Sequence, residues 1–149
     1  MKTLSDPQCR NDIERRIRSV TPTSPRKWGR MTPQQMLLHV YESFLVPLGE
    51  KQVSPKKMPA VVKWGALWFP MRWPQGVKTR PELDQAERME AVSAAFEPDR
   101  DRLLAALQRF CTTDSSTFSP HPNFGKLSAR EWMRWGYLHT DHHLRQFGS

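Results

Sequence analysis

Hydrophobic positions along this chain recur every three to four residues in separate blocks, the signature of amphipathic helices, and no stretch reads convincingly as a strand. The first block follows Asp6-Pro7, an N-cap residue with proline at the first helical position. Behind it Cys9, Ile13, Ile17 and Val20 share one face, while Arg10, Arg15, Arg16 and Arg18 occupy the others. Thr21-Pro22 ends this helix, because a residue before proline avoids the helical region, and Thr21 to Lys27 is a loop. A second helix starts at Thr32-Pro33-Gln34-Gln35, where a capping box and a first-turn proline agree. It runs to about Val46, where Pro47 and Gly49 stop it, and its inner face is Met36, His39, Val40, Ser43 and Phe44.

Residues 48–81 form a connection rich in Pro, Lys and Trp, with a short helix over Ala60 to Phe69 between Pro59 and Pro70. Trp73-Pro74-Gln75-Gly76 reads as a turn. From Pro81 to Cys111 the helical pattern returns through Leu83, Ala86, Met89/Glu90, Ser93 and Phe96, then Leu103, Leu104, Leu107 and Phe110. Pro98 either kinks one helix near Glu97 or marks the meeting of two. After a polar loop from Thr112 to Lys126, the last helix opens with the capping box Ser128/Glu131. Its inward seam is Trp132, Gly136, His139, His143 and Gln146/Phe147. Gly136 leaves a gap in that seam, which either opens a pocket or admits a neighbouring tryptophan.

Four main helices predict an all-α four-helix bundle forming one domain over residues 1–149. A 20-residue helix spans only about 30 Å. The connection of roughly 33 residues between the second and third helices is therefore long enough to cross the whole bundle, which favours one long crossover.

Composition narrows the class without assigning a function. A hydrophobic fraction of 38% with six tryptophans is enough for a core, which argues against wholesale disorder. The start of the chain leads straight into charged sequence, and the longest apolar run, Met58 to Met71, is interrupted by Lys63 and too short to span a bilayer. Cys9 and Cys111 suggest no disulfide framework, so a reduced, cytoplasmic protein is expected. The net charge of +8 attracts polyanions and anionic small molecules alike. No helix-turn-helix, zinc-finger, RNA-binding, P-loop, dinucleotide or nucleophile-elbow signature accompanies it.

The chemistry lies in histidines on faces that should be buried. His139 and His143, at i and i+4, project from one side of the last helix with their bases about 6 Å apart. Neutral imidazole is the commonest metal-binding side chain near pH 7. A third ligand from a facing helix would complete the open, three-ligand arrangement of catalytic zinc sites, and His39 alone is a histidine on the core face of another long helix. His142 falls to one side of the seam, with Trp135 and Leu138. His121 lies in the preceding loop, far from His139 unless that loop folds back, and reads as structural. Glu42 and Gln146, one turn beyond His39 and His143, are candidate partners of the ligands, while Asp141 points to another side.

The stretches Trp28-Gly-Arg-Met-Thr-Pro-Gln-Gln-Met-Leu-Leu-His39, His121-Pro-Asn-Phe-Gly-Lys-Leu-Ser-Ala-Arg-Glu-Trp132 and His139-Thr-Asp-His-His143-Leu-Arg-Gln-Phe147 resemble the DinB-like superfamily, in its branch with an His-Pro-x-Phe-Gly loop before the last helix. The crossover residues Pro70, Pro74, Gly76, Thr79 and Pro81-Glu-Leu83 suit that branch. The resemblance implies an up-down-down-up bundle with three metal-ligating histidines at His39, His139 and His143, holding zinc or nickel. Relatives with known activities include thiol transferases using bacillithiol or mycothiol and a maleylpyruvate isomerase. A small-molecule substrate, such as a low-molecular-weight thiol, and transferase or hydrolase chemistry are the expectations this carries. A basic nucleic-acid-binding module and a non-catalytic helical scaffold are the alternatives, no membrane partner is expected, and a homodimer stays open.

Overall fold

Three of the helices begin where the local chemistry places a side-chain cap. The Asp6 side chain accepts from Gln8 N at 2.9 Å and starts α1 (Pro7–Ser19). Thr32 and Gln35 make both halves of a capping box before α2 (Pro33–Leu45), and Ser128 and Glu131 do the same before α5 (Ala129–Arg145). Between them lie the short α3 (Ala60–Trp68) and α4 (Phe96–Thr112). The computed structural model describes residues 1–56, 58–69, 73–75, 80–86 and 95–149. Among these the fold is all-helical, with five α-helices, two short 3₁₀ turns and one isolated bridge between His121 and Gly125. No described helix is long and apolar enough to cross a membrane.

One long helical pattern from Pro81 does not survive folding. Pro81–Leu83 is a 3₁₀ turn, Asp84 to Ala86 is irregular, and α4 starts at Phe96. Pro98 therefore stands in the first turn of α4, where its missing N–H has no intrahelical partner to lose, so it opens a helix rather than kinking one. Met89, Glu90 and Ser93 of that pattern, and Pro70, Gly76 and Thr79 of the crossover, lie outside the described residues.

The core runs along the seams of the four longer helices. α2 packs most extensively on α4, and α5 touches α1, α2 and α3. Ile13 and Ile17 of α1, Met36, Val40 and Phe44 of α2, Leu103, Leu107 and Phe110 of α4, and Trp132 and Leu144 of α5 are fully or almost fully buried together. The short α3 instead lies across one side of this packing. It is tied to α5 by Arg134 Nε donating to Leu67 O (2.9 Å), the Lys63–Glu131 ion pair (3.0 Å), and Arg130 over the Trp68 ring (4.8 Å).

Gly136 neither opens a pocket nor admits a tryptophan. A Cβ there would lie 2.7 Å from Leu4 Cδ1 and 3.0 Å from Phe110 Cε1, so the N-terminal segment and α4 close the gap. Gly136→Ala is expected to destabilise the protein by about 1–2 kcal/mol, as overpacking between two fully buried side chains outweighs alanine's helical advantage of roughly 1 kcal/mol. Gly65→Ala is the control: its Cβ meets nothing within 4 Å, so the same exchange should hold or raise the melting temperature in a circular-dichroism melt.

Candidate metal centre

His39 stands in the middle of α2, and His139 and His143 stand one turn apart near the end of α5. The contact between α2 and α5 brings the three imidazoles together across 100 residues of sequence. Ring centroids are 4.4 Å apart for His39–His143, 4.7 Å for His139–His143 and 5.2 Å for His39–His139. One potential ligand nitrogen from each ring lies within 4.8 Å of the other two, a set able to hold a metal ion. The Nε2 atoms of His39 and His139 are 3.3 Å apart. Two imidazole nitrogens bound tetrahedrally at zinc distances of 2.0–2.1 Å are separated by about the same length.

The hydrogen bonds behind the rings decide which nitrogens face inward. His39 Nδ1 is 2.8 Å from Leu83 O, and a carbonyl only accepts, so Nδ1 carries the proton and Nε2 presents its lone pair. His143 Nδ1 lies 2.9 Å from Gln146 Oε1, which fixes the same tautomer there. His139 is stacked on Trp135 (5.1 Å, 11°), and its buried Nδ1 has no hydrogen-bond partner. Two inward lone pairs and a third imidazole thus converge with at most one N–H among them. That donor set fits a divalent cation, which would draw on every inner nitrogen.

Burial lowers the pKa of all three imidazoles below the ordinary histidine value. For His139 and His143 the shift is large, and neighbouring imidazoles add to it; for His39 the Leu83 carbonyl partly opposes it. The rings are therefore neutral at pH 7, the form that binds metals. His139 keeps part of its surface open to a cavity although protein surrounds it on most sides.

That cavity has a volume of about 540 Å³ and is walled mainly by apolar side chains. Val62, Gly65, Ala66 and Phe69 of α3 and its end form one wall, and Trp73, held by its Nε1 donating to Ala66 O (2.7 Å), adds another. The imidazoles of His39, His139 and His143 also line it.

Other sequence candidates fall differently. Gln146 touches His143 directly, and its side chain is packed against Gly29, whose missing Cβ admits this close approach and whose φ of +90° also favours glycine. Glu42 pairs with Lys51 at 2.6 Å and reaches His39 only through its charge; the partner of His39 is the Leu83 carbonyl. A backbone acceptor from a 3₁₀ turn leaves no mark in a side-chain pattern. Asp141 is engaged by Arg16 (2.8 Å) and Arg145 (2.9 Å).

The loop before α5 does fold back, contrary to the distance expected for His121. The His121 ring lies 5.3 Å from Trp135, one turn before His139, and it lines the cavity. Its Nδ1 accepts from Asn123 N and Phe124 N, both at 3.1 Å, and burial and the Arg80 charge push its pKa down to about 3. His142 also reaches the cavity, edge-on to Trp28 at 4.8 Å and to His143 at 5.1 Å, without joining the cluster of three.

Two helices of an all-helical fold thus bring three neutral imidazoles to one side of an apolar cavity, an arrangement compatible with metal binding. The chain belongs to the DinB superfamily, whose family model it matches over residues 8–147. No curated protein and no solved structure matches it.

Proposed function

We propose that His39, His139 and His143 ligate one divalent metal ion, zinc or nickel, and that the cavity beside it receives a small-molecule substrate such as a low-molecular-weight thiol. The single observation that carries this reading is the pair of outer hydrogen bonds, His39 to Leu83 O and His143 to Gln146 Oε1, which aim two lone pairs at the third imidazole. Three protein ligands leave a fourth tetrahedral position free. A divalent ion bound there lowers the pKa of a thiol or water, the chemistry of a thiol transferase or a hydrolase.

The remaining roles belong to the chain itself. Leu83 O and Gln146 Oε1 hold the outer protons and fix the ring orientations. Trp135 limits the rotation of His139 by stacking on it. α3, with Val62 and Phe69 against the cavity, excludes bulk water from one side and so strengthens charge interactions within. The up-down-down-up order for α1, α2, α4 and α5 belongs to the same reading, and the long segment between α2 and α4 gives the chain enough length for it.

Untagged protein purified without chelator is expected to carry close to one zinc or nickel ion per chain by elemental analysis. Removal of that ion should lower the melting temperature, and adding it back should restore it. Metal-free protein whose melting temperature ignores both ions would end this reading.

A further inference from the structure

Among the described residues that line the cavity, Arg80 is the one with a formal charge, and no described lysine or carboxylate lines it. Arg80 is half-buried and immediately precedes the 3₁₀ turn whose Leu83 carbonyl holds His39. Its Nε and Nη2 donate to Asn123 Oδ1, the former at 3.1 Å, and Nη1 donates to Ser54 O at 2.9 Å. All these acceptors are neutral. Among the described residues no carboxylate forms an ion pair with Arg80; an oxygen of neighbouring Glu82 instead accepts from Ser54 N at 3.2 Å.

A guanidinium offers five N–H donors, and three are used here. One remains on each terminal nitrogen, a charge-assisted donor available to a carboxylate. Asn123, also in the cavity wall, contributes an amide NH₂ that no described acceptor takes. Glu82 feels the Arg80 charge from outside the cavity wall, so the cavity side of the guanidinium is where a bound anion would add a charge-assisted contact. The rest of the wall, with Val62, Phe69, Trp73, Phe124 and Trp132, suits an apolar body, and a sphere of 540 Å³ is about 10 Å across.

We propose that this cavity binds a small molecule with an apolar, aromatic-sized body and one carboxylate, and that Arg80, supported by Asn123, grips the carboxylate. The proposal deepens the reading of the cavity as a substrate site, but it does not depend on the metal.

The test uses calorimetric titration of the full-length untagged protein, as purified and after EDTA treatment, with 4-phenylbutyrate and its neutral amide as probes. EDTA-treated wild type is expected to bind the carboxylate at least tenfold more tightly than the amide. Arg80→Gln should bring the carboxylate down to the amide level. Arg80→Lys, which keeps the charge without the planar fork, should keep a reduced preference, and it decides the matter if Arg80→Gln does not fold. Equal binding of both probes by EDTA-treated wild type overturns the proposal, as does a preference that survives Arg80→Gln. A preference seen only in metal-loaded protein and lost in His143→Ala places the anion on the metal; it overturns the role of Arg80 while the metal site stands.

Discussion

His143→Ala is expected to lower metal affinity by about a hundredfold or more while leaving the helices standing. Structural zinc sites with four ligands bind with roughly 10–16 kcal/mol, so each ligand supplies about 3 kcal/mol, some two decades in affinity. His143 lies in the last turn of α5, where the helix dipole favours a cation modestly, and its ring faces two other imidazoles and the cavity. Truncation there enlarges an existing space instead of opening a void in the apolar core around Phe44, Phe110 and Trp132. A far-ultraviolet spectrum like that of the wild type, with metal lost through dialysis, is the expected pair of results. If the variant retains stoichiometric metal at wild-type affinity, His143 is not a ligand. If it loses its helices even in excess metal, the imidazole is holding the fold and not an ion.

Gln146→Leu should weaken metal binding by about 10- to 100-fold with all three imidazoles still in place. The Gln146 oxygen is the acceptor for His143 Nδ1 at 2.9 Å, and leucine leaves that N–H buried without a partner, a cost of roughly 1–3 kcal/mol. The ring is then free to flip or change tautomer, and its inward lone pair is no longer assured. The same loss should be reachable from a distance. Gly29 has φ +90°, and a Cβ there would lie 2.8 Å from Gln146 Nε2, so Gly29→Ala strains its own backbone and displaces the glutamine. A smaller drop in affinity, in the same direction, is the expected result. Competition against a chromophoric chelator measures both variants, and unchanged affinity in Gln146→Leu would sink the orienting role.

The site was legible in the sequence to the extent that it depends on helical period. His39, His139 and His143 stand out because each occupies a position where an apolar residue would continue the seam, and Gln146 lies one turn further on the same face. The capping boxes at Thr32/Gln35 and Ser128/Glu131 were equally legible, and both form with both hydrogen bonds in place. Pro98 was ambiguous, since a proline inside an apolar period reads alike as a kink or a start. Glu42 drew attention by its spacing from His39, yet Lys51 engages it and the Leu83 carbonyl takes the place it was expected to fill.

What the sequence determined by itself, then, is where α1, α2 and α5 begin and which faces of them turn inward. Those features arise from hydrogen bonds and side-chain spacings within a turn or two of each residue, so the information is local. Only the tertiary structure decided that His39 meets His139 and His143, that the 3₁₀ turn at Pro81–Leu83 supplies an acceptor, and that His121, His142 and Arg80 share one cavity. Those relations join residues tens to a hundred positions apart, and they are set by how the helices rotate and the loops return to bury apolar surface across the whole chain.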